Sequence, residues 1–154
     1  QNNPDEARLI AAQTLIKAAK KAESSADLMI ALGDFNTLVD DAPNAIEEAK
    51  RYFDLSRDEA QLRDTNVFKG THFYAGHWSA LDKIMIFEKY SKEIRPLYSK
   101  YDIFHFNFML GSSIWTDRDT GEQTTYNNVP QAFDWQTGLG YSDHLPVIMQ
   151  FEIR

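Results

Sequence analysis

Apolar positions along this chain fall first at helical spacing and then at strand spacing. Between residues 2 and 25, Leu9, Ala12, Ile16 and Ala19 recur every three or four places, and Lys17, Lys20 and Lys21 fall between them. That periodicity predicts an amphipathic helix, opened by Asn3 as N-cap, Pro4 at the first helical position and Glu6 closing a capping box. Residues 28–32 are apolar throughout and few, as in a strand covered on both faces. A short helix is expected over 43–52, beginning near Asp41 or Ala42. The stretches HFYAGHW and LDKIMIF read as strands, as does 103–109, where Phe104, Phe106 and Phe108 alternate. Residues 112–138 are polar and rich in turn formers, and read as a long loop carrying Trp115, Tyr126, Phe133 and Trp135. Val147, Met149, Phe151 and Ile153 share one face of a final strand. The pattern predicts mixed α and β structure around a sheet, with no internal repeat.

Composition narrows the classes. With 154 residues, 43% hydrophobic and 25% charged, the chain has the length and content of one globular domain. It has no cysteine, which excludes disulfides and thiolate metal sites. No apolar run approaches the ~20 residues of a membrane helix, so no membrane span is expected. A net charge of −7 argues against a protein that holds nucleic acid mainly through phosphate contacts. Charge is uneven, however: residues 65–100 carry six bases against three acids, Lys83, Lys89, Lys92, Arg95 and Lys100 among them. A solvated face explains each lysine alone; the stretch as a whole suits a small phosphorylated substrate better than a long duplex.

Four polar clusters punctuate the strands: Asp34 and Asn36 after the first, His72 and Tyr74 around the second, Trp78 with Asp82 at the third, and Ser142-Asp143-His144 before the last. Singly, each has a plain explanation, such as an Asx turn at Asp34 or a turn into the last strand at Ser142. His105, on a strand among phenylalanines, reads as structural. Together, acids and a histidine at strand ends are the groups that metal-assisted phosphoryl chemistry needs. A hard cation takes oxygen ligands and neutralises phosphate charge. A carboxylate orients or deprotonates water, and an imidazole held by a second carboxylate donates to phosphate oxygens.

The segments LMIALGDFN, WSALDKIMIF and YSDHLPVIMQF, in that order, resemble the C-terminal half of the endonuclease/exonuclease/phosphatase family, the deoxyribonuclease I-like and exonuclease III-like enzymes. The resemblance runs from about residue 5 to 154 and is loosest over 40–68 and 99–138. It implies an α+β fold, half of a four-layered α/β/β/α sandwich with a mainly antiparallel sheet and covering helices. It implies a metal-dependent phosphodiesterase or nuclease-like hydrolase, with a catalytic set of Asp34, Asn36, Asp82, Asp143 and His144. Asp34 matches the residue that activates water, Asn36 the phosphate contact, Asp143 the aspartate near the metal, and His144 the phosphate-facing histidine paired with Asp82. Trp78 matches a cleft-lining aromatic, and His72 and Tyr74 are further candidate substrate contacts. Asp34 and Asp143 are a partial ligand set for Mg2+, or Mn2+ or Ca2+, so no fully ligated ion is expected.

The family's early asparagine, metal-binding glutamate and further histidine have no counterpart in this sequence. Residues 1–154 are therefore expected to be the C-terminal part of one domain, lacking its N-terminal half and inactive alone. Its partners would be that missing half, or a second copy through the exposed sheet face, together with nucleic acid or another phosphoester. Other readings are a non-catalytic sandwich domain that binds a protein or ligand, a stand-alone half that pairs with a separate chain or itself, and an unrelated α/β domain whose turns mimic the motifs. Phosphorylated small molecules and lipids are the alternative substrates.

Overall fold

The computed structural model describes residues 5–26, 28–38, 45–55, 68–87, 94–96 and 102–153. Helix α1 (Asp5–Ala22) carries Asp5 and Glu6 in its first turn and Lys20 and Lys21 in its last, each complementing its end of the helix dipole. Ala12 and Ala19 are buried and the three lysines exposed, as the periodicity requires. The expected caps, Asn3 and Pro4, lie outside the described residues. There follow β1 (Ile30–Asp34), α2 (Ala45–Lys50), β2 (Phe53–Leu55), β3 (His72–Tyr74), β4 (His77–Ser79) and β5 (Asp82–Phe87). The remainder is β6 (Ile94–Pro96), β7 (Asp102–Ile103), β8 (Leu110–Thr116), β9 (Gln123–Pro130), β10 (Val147–Ile148) and β11 (Phe151–Ile153). Among the described residues every strand pairing is antiparallel: β1-β5-β2 form a sheet, and β3-β4, β8-β9, β10-β7 and β11-β6 pair in twos. The architecture is α+β, with few helices and open sheets.

Strand β5 is the hinge of two cores. Met85 and Phe87 point to one face, where they meet Ala31, Phe53, Ala49 and Ala19, with Leu15 and Ile16 of α1 packed alongside. Ile84 points to the other, where Phe68, Ile103 and Leu145 gather with Trp78 and Val147. Among the described residues, strand β1 is packed chiefly on its helix side. Leu32 stands directly opposite Ile84, hence on the same face, yet is 72% exposed. The expected strand over 28–32 is thus 30–34, and the second layer that covers β5 stops short of it.

Four further expectations give way. Over 103–109, strand pairing ends at Ile103 and a 3-10 turn spans Asn107–Met109, so Phe104, Phe106 and Phe108 form an exposed row of rings rather than a strand face. The loop expected over 112–138 is largely the β8–β9 hairpin, closed by Asp117, whose Oδ1 accepts the Asp119 and Thr120 backbone N–H groups at 2.9 and 2.7 Å. Burial alternates there without hydropathy alternating: Ser113 and Trp115 are half-buried and Ile114 is exposed. The final strand is broken into β10 and β11 at Met149 and Gln150. Lys83 is not part of a solvated basic face. It is buried, and its ammonium donates to the Ala80 carbonyl at 2.5 Å. Lys89, Lys92 and Lys100 lie outside the described residues.

Among the described residues β1 pairs with β5 alone, which leaves its other edge and the Leu32 face available to another strand or layer. The chain on its own is expected to self-associate in sedimentation velocity, and Leu32→Lys to shift it toward monomer. A wild-type monomer at all concentrations would show that this face needs no cover.

Candidate functional site

Strand β1 ends in a built turn. The Phe35 N–H donates to the Leu81 carbonyl at 3.0 Å, which makes Asp34 and Asp82 a cross-strand pair of the non-hydrogen-bonded kind, the closer of the two kinds. Two carboxylates directly opposite each other oppose pairing, so this register needs compensation. Asp34 Oδ1 accepts the Asn36 N–H at 2.7 Å, and Asn36 itself sits at φ 48°, a left-handed conformation that asparagine tolerates better than most residues. The Asx turn is real and does not consume the second oxygen of Asp34.

Compensation for Asp82 arrives from 62 residues further on. Its Oδ2 lies 2.7 Å from His144 Nδ1, a charge-assisted contact that sets the ring's orientation. His144 is held by its own backbone, with its N–H donating to Ser142 Oγ at 3.0 Å and its residue bridging His72 of β3. The neighbouring Leu145 N–H donates to the Thr71 carbonyl at 2.6 Å. The His72 and His144 rings are 4.6 Å apart, and His72 Nε2 lies 3.7 Å from Asp143 Oδ2. Within the β3–β4 hairpin, the period of two places His72 and Tyr74 on one face and Phe73 and Trp78 on the other. Trp78 packs on Phe68 and Phe73 in the second core. His72 and the exposed Tyr74 stacked on it lie on the opposite face of the hairpin from Trp78.

Burial pushes the His72 imidazole below its ordinary value of 6.5, and a charge on His144 pushes the same way. Asp143, Asp34 and Asp82 oppose that, which marks all four groups as neighbours of His72. The unfolded chain therefore takes up a proton at His72 at a higher pH than the folded one. Stability from this residue is complete above pH 6.5 and is lost as pH falls from there through the lowered folded value. Urea midpoints measured from pH 8 to pH 5 are expected to fall more steeply for wild type than for His72→Gln. Parallel profiles would remove His72 from the acid response.

Two residues had no place in the sequence reading. Thr71 is fully buried, and its Oγ1 accepts the backbone N–H groups of Leu81 and Asp82, each at 3.2 Å. It thereby ties β3 to the start of β5, just where Asp82 must stand. Thr71→Val keeps the shape and leaves two half-buried donors without this acceptor, so it is expected to cost about 1–2 kcal/mol, read as a lower urea midpoint at unchanged slope. The threonine before His72 was the available signal. The second is Arg8, on the wall of a cleft of about 690 Å³ between α1 and β1 that ends at Asp34 and Asn36. Its Nε is buried with no partner, and Nη1 is paired with Asp5 at 2.9 Å. Arg8 and Asp34 thus line the same cleft, with the Arg8 guanidinium paired to Asp5.

Comparison with protein-family models, with curated proteins and with solved structures returned no match. Among the described residues, the group that offers three ligand atoms within 4.8 Å of one another is His72, Asp143 and His144. Asp34, the other carboxylate of the implied set, is outside that group. Two imidazoles and one carboxylate do not fit an oxygen-only cation such as Mg2+ or Ca2+.

Proposed function

We propose that this chain carries part of the active site of a divalent-metal-dependent phosphoesterase of the endonuclease/exonuclease/phosphatase type. Its reaction is hydrolysis of a phosphodiester, with nucleic acid the first substrate class and phosphorylated small molecules or lipids the alternatives. The observation that carries the reading is the Asp82–His144 contact at 2.7 Å, formed across 62 residues on the strand directly opposite Asp34. A carboxylate–imidazole pair beside a second carboxylate is costly to assemble for structure alone.

Each residue then has a task set by its chemistry. Asp34 orients an attacking water and accepts its proton through the oxygen that Asn36 leaves open. The Asn36 carboxamide donates to a phosphate oxygen. Asp82 takes Nδ1–H of His144 and stabilises its imidazolium, whose Nε2–H donates to the phosphate as negative charge builds there. Arg8 adds positive charge at the Asp34 end. The oxygen ligands of a hard cation are too few among the described residues. A second layer docked on the Leu32 face and the open edge of β1 would supply the rest.

Hydrolysis of bis(4-nitrophenyl) phosphate, a short oligonucleotide and an inositol phosphate, each with Mg2+, tests this. The full gene product is expected to turn over at least one of them, and the 154-residue chain alone none. Saturable binding without turnover by the full product would replace the enzyme with a binding domain.

A further inference from the structure

We propose that His72, Asp143 and His144 form a binding site for a transition-metal dication of the Zn2+ or Co2+ kind, with Asp82 as the outer carboxylate that aims His144. The site concerns the same cluster as the phosphoesterase reading but rests on donor geometry alone. Imidazole nitrogen suits Zn2+, Co2+ and their neighbours, where Mg2+ and Ca2+ demand oxygen. Two histidines and a carboxylate leave a fourth position open, the arrangement of an ion that works on a bound molecule rather than one that only braces a fold.

Distances support the set. The three ligand atoms lie within 4.8 Å of one another, and His72 Nε2 is already 3.7 Å from Asp143 Oδ2. Donor atoms around a tetrahedral zinc ion, each at ~2.0–2.1 Å, stand ~3.3–3.4 Å apart, so side-chain movement of up to ~1.5 Å closes the site. The backbone holds the parts in place beforehand: residues 72 and 144 form a bridge, and the Thr71 carbonyl accepts the Leu145 N–H at 2.6 Å. The Asp82 contact adds the usual second requirement of such sites. A carboxylate on Nδ1–H fixes the tautomer and leaves the Nε2 lone pair for the metal. Asp143 is exposed, which gives the ion a way in and leaves its open position toward solvent. His144 Nε2 has one lone pair, so a bound ion takes the place of the imidazolium that would otherwise face phosphate.

Calorimetric titration of the purified chain with ZnCl2, paired with visible absorption on adding CoCl2, tests the site, with MgCl2 as the hard-cation comparison. One Zn2+ per chain is expected, with an intense, low-symmetry Co2+ spectrum and no Mg2+ binding of comparable strength. Asp143→Asn, at an exposed position that leaves folding intact, and His72→Ala should each weaken Zn2+ binding at least ~10-fold, and Asp82→Asn by ~10–100-fold. His105→Gln should leave it unchanged. Absence of stoichiometric Zn2+ binding, or binding indifferent to Asp143→Asn and His72→Ala, overturns the proposal. Because these readouts do not depend on turnover, phosphodiester hydrolysis by a protein that fails them removes this site and spares the phosphoesterase, whereas Zn2+ binding without hydrolysis does the reverse.

Discussion

Replacing His144 by alanine, or Asp34 by asparagine, is expected to lower kcat for phosphodiester hydrolysis by about 10²–10⁴-fold with little change in KM. Both groups act on charge that exists only as water attacks: Asp34 on the proton leaving the nucleophile, His144 on the phosphate oxygens. Removing them therefore costs transition-state stabilisation more than ground-state binding. Asp82→Asn separates orientation from charge. The carboxamide still reaches Nδ1 of His144, but it no longer carries the negative charge that stabilises an imidazolium. Its loss should approach that of His144→Ala, and combining the two should add little, because they act as a unit. Steady-state kinetics on the full gene product check this. A loss confined to KM would make these residues binding groups, and additive losses would uncouple Asp82 from His144.

Gly140→Ala is expected to be the most damaging single-methyl change in the described chain. Gly140 has φ +83°, where an L side chain is strained, and an added Cβ would meet the Ala132 carbonyl, with its carbon at 2.8 Å and the Gln131 oxygen at 2.9 Å. These obstacles are backbone, pinned by the Tyr141 N–H donating to the Gln131 carbonyl at 2.7 Å, so neither yields cheaply. Backbone strain and overpacking together place the cost at about 3 kcal/mol or more. The damage reaches the site, since Gly140 opens the segment that delivers Asp143 and His144 to His72 and Asp82. Urea denaturation should show the lost stability, and any folded remainder should have lost the low-pH sensitivity assigned to His72. A midpoint shift comparable to that of a surface substitution would contradict the fixed position of this segment.

Strand β5 was legible because Asp82 to Phe87 is short, apolar and bounded by a polar residue, and the same holds for the approach to Asp34. The motifs at Asp34 and His144 were legible as types and order, but their meeting depends on a cross-strand register and a bridge between residues 72 and 144, which no local pattern encodes. His72 illustrates the limit. Its sequence neighbours suggested a substrate contact, and only the pairing with His144 sets it beside Asp143 as a possible ligand. The β8–β9 hairpin was missed because both of its faces are largely solvated, so hydropathy does not alternate although burial does. Leu32 failed for the opposite reason: an apolar residue signals a covered face, and Leu32 is 72% exposed.

On the proposed function, the cluster at Asp34, Asn36, Asp82, Asp143 and His144 receives a phosphodiester. Histidine-selective 1H–15N NMR of the chain, titrated with bis(4-nitrophenyl) phosphate, tests it without requiring turnover. Saturable shifts of the His144 and His72 ring nitrogens are expected, with His105 unmoved, and loss of the His144 response in Asp82→Asn. A folded protein whose His144 and His72 resonances stay still at all phosphodiester concentrations would contradict it.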